Sequence, residues 1–172
     1  MSADTPHRIV LLRHAKADWP DVPDHERPLA ERGRADGPVV GRRLAEKGIE
    51  FDLALCSTAV RTRETWKLVV PELAQRPRTV YEDRMYEASL GELIALVNEV
   101  SDEVGDLVLI GHNPGTHAMA DALAGSADGD TLARMNRSGF PTAAFAVLAF
   151  EGPWKSVEHG TARLVDFWAP HA

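Results

Sequence analysis

The 172-residue chain has one cysteine, fewer basic than acidic side chains, and no long uninterrupted apolar run. Each shortage closes off a class of protein. The single thiol, Cys56, excludes an internal disulfide framework and suits a reducing compartment, so a cytoplasmic location is expected. With 19 Lys and Arg against 26 Asp and Glu the formal charge is −7, no basic face is expected to dominate, and nucleic acid is not an expected partner. No stretch approaches the ~18 apolar residues of a membrane span. Met1 to Arg8, with Asp4 and Pro6, lacks the apolar centre of a secretory leader, so no membrane association is expected. No two histidines have metal-ligand spacing and no cysteine or carboxylate cluster accompanies them, so neither a metal nor another cofactor is implied. Repeats and low-complexity tracts are absent as well. The length fits one domain, residues 1–172 with a core over about 8–168.

What is present is an alternation of short apolar runs with helical patterns, which predicts an α/β fold: a single-domain three-layer sandwich with a mostly parallel central sheet flanked by helices. Strands are expected near 8–13, 52–56, 79–82, 106–111, 143–150 and 161–167, and helices over about 30–47, 58–70, 90–101 and 115–124, with Pro38 kinking the first. The stretch from Lys16 to Pro28 carries three prolines and reads either as a lid or substrate rim or as a plain connector. Trp19 within it either stacks on a substrate or packs down. Asp128-Gly129-Asp130-Thr131 reads as a solvated loop.

Three of the apolar runs end in groups that bind or attack phosphorus. Ile9 to Leu12 leads into Arg13-His14-Ala15, which puts a fixed cation beside an imidazole where a buried strand ends. An arginine holds two phosphate oxygens in a fork of N–H donors, and a neutral histidine offers a ring nitrogen that can attack phosphorus. Leu53 to Cys56 leads into Ser57, placed where a helix N-cap is expected, with Arg61 four residues on and near a helix N-terminus that itself attracts anions. Arg63, two residues later, points elsewhere. Leu107 to Ile110 leads into Gly111-His112-Asn113-Pro114-Gly115, where Pro114 suits the first position of a following helix. Ligands collect at the carboxyl ends of strands in open α/β sheets, so Arg13, His14, Arg61 and His112 are expected to converge. A cysteine-dependent phosphatase would need Cys-x5-Arg, whereas four residues separate Cys56 from Arg61. Cys56 is therefore assigned to the core.

LLRHA, the Ser57-x3-Arg61-x3-Thr65 pattern and IGHNPG, in this order, resemble the histidine phosphatase superfamily, also called phosphoglycerate-mutase-like. Asp24-x2-Arg27-Pro28-Leu29-x2-Arg32-Gly33 narrows the resemblance to the small bacterial phosphohistidine phosphatases of the SixA type. The resemblance implies that His14 is the nucleophile that becomes phosphorylated, that Arg13 and Arg61 clamp the phosphate, and that His112 donates to the phosphoryl oxygens. It places Arg27 near the phosphate. It also implies a phosphorylated substrate, a phosphohistidine-bearing protein in particular. Ala15 stands where the wider superfamily has glycine, as in the SixA-type group. The proton donor is open: Glu87 is either the acid that protonates the leaving group or a helix-entry carboxylate beside the N-cap Ser89. His117 either lines the pocket or sits in packing. The runner-up function is a phosphatase or mutase acting on a small phosphate ester, and the alternative of another class is a phosphate-binding module without turnover.

Overall fold

The computed structural model describes residues 6–171. Among them seven strands form one sheet in the order β3-β2-β4-β1-β6-β7-β5. The strands are β1 (Pro6–Arg13), β2 (Leu53–Ser57), β3 (Arg78–Glu82), β4 (Asp106–Gly111), β5 (Ala124–Ala127), β6 (Phe145–Glu151) and β7 (Ala162–Trp168). Five helices accompany them: α1 (Glu31–Glu46), α2 (Val60–Val69), α3 (Leu90–Asn98), α4 (Gly115–Leu123) and α5 (Thr131–Ser138). Only β6 runs against its neighbours, pairing antiparallel with both β1 and β7, so the sheet is mostly parallel.

The central strands are apolar throughout because both of their faces are covered. Ile9, Leu11, Leu55 and Leu109 enter a core shared with α3, α4 and Trp154, while Val10, Leu12, Ala54, Cys56, Val108 and Ile110 enter a second core against α1 and α2. Alternate residues thus serve opposite layers, and each fully buried Leu, Val or Ile contributes about 1.5–3 kcal/mol relative to exposure. Cys56 is buried in the second core, as expected.

Four details depart from the sequence reading. The α5 helix and the short β5 were not anticipated: the Asp128–Asp130 turn is brief and leads straight into α5. Pro38 lies inside an uninterrupted α1. That helix also carries Gly33 and Gly37, each at a close approach: a Cβ on Gly33 would come 2.1 Å from the Lys16 carbonyl oxygen, and one on Gly37 would meet Leu68 at 2.7 Å. Pro114 is the N-cap of α4 rather than its first residue. Ser57 ends β2, and Ala59 is the N-cap of α2.

The 16–28 stretch is a folded strap. Ala17 bridges Leu29, the Asp18 and Ala30 N–H groups donate to Pro28 and Lys16 carbonyls, and Asp24–Glu26 forms one 3-10 turn. Glu64 on α2 accepts from the Leu29 N–H at 2.8 Å, which ties the strap to that helix. Among the described residues no helix is long and apolar enough to cross a membrane.

Candidate active site

Because β2, β4 and β1 are adjacent and parallel, their carboxyl ends lie side by side, and with them Ser57, Gly111-His112 and Arg13-His14. The His14 N–H donates to the Gly111 carbonyl at 3.0 Å and the Ala143 N–H donates to the His14 carbonyl at 3.0 Å, so the backbone at His14 is held from two sides. Thr65 draws the third strand end in: its hydroxyl accepts from the Ala15 N–H at 2.9 Å and donates to the Arg61 carbonyl at 2.7 Å. The spacing of Arg61 and Thr65 is one helical turn, which is why one face of α2 meets the end of β1.

The His14 side chain is 8% exposed, and its Nδ1–H donates to the Ala15 carbonyl at 2.7 Å. That bond fixes the tautomer and leaves Nε2 as the unprotonated, basic nitrogen. Burial, followed by the positive fields of His112, Arg13 and Arg61, pushes the imidazole down to about 3, against the Ala15 hydrogen bond, which raises it. The His14 and His112 ring centroids are 5.4 Å apart. Burial and then Arg61 push His112 down to about 4. Its Nε2 lies 2.7 Å from Ser57 Oγ, so the serine read from sequence as a cap instead orients the second histidine.

The Arg13 guanidinium donates to the Phe140 carbonyl at 3.1 Å, and burial lowers its pKa. Arg13 Nε and His112 Nδ1 are both buried without a hydrogen-bond partner among the described residues. Two orphaned nitrogens in one cluster of cations favour an anion with several acceptor oxygens. Arg61, 7% exposed, donates to the Asp24 carbonyl at 2.8 Å and to its carboxylate at 3.1 Å. Tyr86 and Arg27 donate to the same carboxylate, and together with Arg61 they hold Asp24 well below the usual carboxylate range, the Tyr86 bond most of all.

Asp24, which opens the Asp24-x2-Arg27 motif, is given no role from sequence. Its only local signal is the three-residue spacing to Arg27, with which it forms an ion pair. Arg27 itself donates to the Asp18 carbonyl at 3.0 Å and lies over the Trp19 ring, 3.3 Å from its centroid, so its contacts are to the strap. Trp19 remains 75% exposed beneath it. His25, next to Asp24, stands edge-on to Tyr86 and lies 3.0 Å from the Thr58 hydroxyl. His117 contacts Asn136 on α5 and the Phe140 ring, in the packing between two helices.

A cavity of about 360 Å³ adjoins the cluster, with Arg61, His112, Tyr86, Glu87 and Asp24 on its polar wall and Leu11, Met85, Leu93 and Met119 among its apolar lining. Glu87 is exposed there, two residues before Ser89, which caps α3 as expected, in a reciprocal capping box with Glu92. Glu87, Phe140 and Ala143 are the three non-glycine residues with positive φ among the described residues, at 59°, 57° and 65°. All three border the site, through the cavity wall, the acceptor for Arg13, and the donor to His14. Backbone held in this region at a cost of about 1–3 kcal/mol per residue is a common property of functional sites.

The depressed histidines make a prediction about stability. In the unfolded chain both titrate near 6.5. Between there and about 3 to 4 the unfolded chain binds protons that the native one refuses, so the native state loses stability as pH falls through that window and keeps it above. The urea midpoint is expected to drop from pH 7 to about pH 4.5 and to drop less in His14→Ala, because one of the two depressed imidazoles is gone. An equal drop in both proteins would count against the burial of His14.

A model of the histidine phosphatase superfamily, branch 1, matches residues 9–137, and the chain belongs to that family. Within it the chain is similar to solved structures of two proposed SixA phosphohistidine phosphatases. That from Agrobacterium tumefaciens is 36% identical, covers 96% of this chain and 99% of its own, and has a TM-score of 0.81. That from Nakamurella multipartitia is 27% identical, with 97% and 98% covered and the same TM-score. An uncharacterised Mycobacterium tuberculosis protein is 39% identical over 161 residues, spanning 92% of this chain and 99% of that one.

Proposed function

We propose that the protein is a phosphatase that works through a covalent phosphohistidine on His14, and that its substrate is a phosphohistidine-bearing protein. The observation that carries the first part is the Nδ1–H bond of His14 to the Ala15 carbonyl: with that proton held on a buried, uncharged ring, the Nε2 lone pair is free at neutral pH. Arg13 and Arg61 take the phosphoryl oxygens, and His112 donates to them as charge develops. Nε2 attacks phosphorus and the bond to the leaving group breaks. The leaving nitrogen or oxygen keeps or acquires a proton. Water then attacks the phosphohistidine, releasing inorganic phosphate and returning His14 to its neutral form.

The protein-phosphohistidine reading rests on the similarity to the two SixA proteins and on the weak provision for acid catalysis, since a leaving imidazole can carry its own proton. Glu87→Gln decides this point. Where Glu87 is not the acid, hydrolysis of a phosphoramidate or an activated aryl phosphate is expected to change little, and alkyl phosphates are poor substrates from the start. An appreciable alkyl phosphate rate that falls by ~10²-fold in this variant would establish Glu87 as the acid and favour the small-ester reading. The cavity beside His112 is the observation on which that second reading stands, because it can accommodate a small leaving group.

Catalysis by arginines and histidines needs no divalent ion, and among the described residues no group of three or more His, Cys, Asp or Glu could hold one. Excess chelator is therefore expected to leave the rate of aryl phosphate hydrolysis unchanged, while vanadate competes with substrate. Activity lost on chelation and restored by a divalent cation would overturn the mechanism.

A further inference from the structure

A second cleft, of about 730 Å³, lies on the other side of α2 from the Arg61 cluster, between that helix and the edge strand β3. Trp66, Val70 and Pro71 supply apolar lining, and the Trp66 indole N–H donates to Thr79 across its floor. Its charged lining is Arg63, Lys67 and Arg76 against one carboxylate, Glu64. That carboxylate already accepts from the Leu29 N–H. All three cations are exposed, and among the described residues none forms an ion pair; Arg13, Lys16, Arg34, Arg78, Arg137 and Lys155 form none either, but these three stand together around one cleft. A chain with seven more acidic than basic residues has thus left three cations unpaired around a single apolar depression. Glu64 alone offsets their mutual repulsion within the chain, and an anionic partner relieves the rest. The Arg63 guanidinium, 5.6 Å from the Tyr81 ring centroid, is held at the rim rather than extended into solvent.

We propose that this cleft is a docking site for an acidic, partly apolar segment of a protein partner. Carboxylates of the segment pair with Arg63, Lys67 and Arg76, and an apolar side chain between them lies against the exposed Pro71 and Tyr81, over a floor formed by the buried Trp66. The combination selects a peptide over a bare polyanion, because phosphates alone leave the apolar floor uncovered. The site is separate from the phosphate-binding cluster, and the same helix carries Arg61 toward one and Arg63 and Lys67 toward the other. The inference does not depend on the catalytic reading above.

The test uses a fluorescein-labelled peptide in which leucine and phenylalanine alternate with glutamates, its glutamine counterpart, and a single-stranded oligonucleotide of equal charge. By anisotropy the acidic peptide is expected to bind the wild-type protein, and the triple variant Arg63→Glu, Lys67→Glu, Arg76→Glu to bind it at least about tenfold more weakly. The glutamine peptide binds weakly to both. The chain has four tryptophans. Of their indole N–H signals that of Trp66, at the cleft floor beside Thr79, is expected to shift on titration, while that of Trp154, in the opposite core, stays in place. Hydrolysis of an aryl phosphate is expected to be the same in the triple variant as in the wild type, and vanadate does not displace the peptide. Absence of binding, equal binding by the triple variant, tighter binding of the oligonucleotide, or displacement by vanadate would each overturn the proposal.

Discussion

In the His14→Ala variant, hydrolysis of an aryl phosphate is expected to fall to the uncatalysed background while the far-UV spectrum and a cooperative unfolding transition persist. No other group near the phosphate cluster combines a free lone pair with a position at a strand end. His112 places its Nε2 against Ser57, and the arginines are cations without a lone pair to offer. The fold survives because the His14 backbone, not its ring, makes the bonds to Gly111 and Ala143. A second readout separates loss of the nucleophile from general damage. Acid-labile, base-stable phosphate should be trapped on wild-type protein quenched during turnover and be missing from the variant. Turnover retained in purified His14→Ala would sink the covalent mechanism.

The clamps come next. Arg61→Ala and Arg13→Ala are each expected to lower kcat/KM by ~10²-fold or more, since each removes a charge-assisted contact that strengthens as the transferring group flattens. Arg61 should show the larger structural echo. Its guanidinium anchors Asp24, and through Asp24 the strap, Tyr86 and Arg27. Loss of Arg61 also strands that carboxylate with fewer donors. Arg63→Ala, two residues away and exposed above Tyr81, is expected to leave aryl phosphate hydrolysis nearly unchanged. Equal damage from Arg63→Ala and Arg61→Ala would mean that the helix face turned toward the phosphate has been misjudged.

How far the sequence speaks depends on the range of the interaction. The central strands are legible because burial on two faces leaves them almost wholly apolar, so β1 and β4 could be placed nearly to the residue. The helices α1 to α4 follow from their periodic apolar faces. The α5 helix is harder: it buries only Thr131 and Met135 and has no side-chain cap at Asp130. Gly139, left-handed at its end, was the available signal. Four-residue β5, with small side chains and no alternation, offers none. Within the site, Arg13, His14, Arg61 and His112 stand at strand ends or a first helical turn, where local pattern points to them. Asp24 meets Arg61 across 37 residues of sequence, and the Ser57 to His112 contact spans 55. Nothing local encodes such pairs; they exist only once β2, β4 and β1 are laid side by side. Ser57 was misread for the same reason, as a hydroxyl just before a helix resembles a cap until its partner is known.

The placement of His14 at the end of β1 has a kinetic corollary. Ile9 to Leu12 are shielded by a layer on each side and paired to β4 and β6, so their amides should exchange with solvent only through global opening. On the proposed mechanism the attacking imidazole is thus attached to the segment of the chain expected to open last. Heat inactivation should therefore coincide with whole-molecule unfolding and show no earlier phase in which the catalytic centre melts inside an otherwise intact protein. The outer strand β3, paired on one edge alone and largely exposed, is expected to lie nearer the other end of that scale.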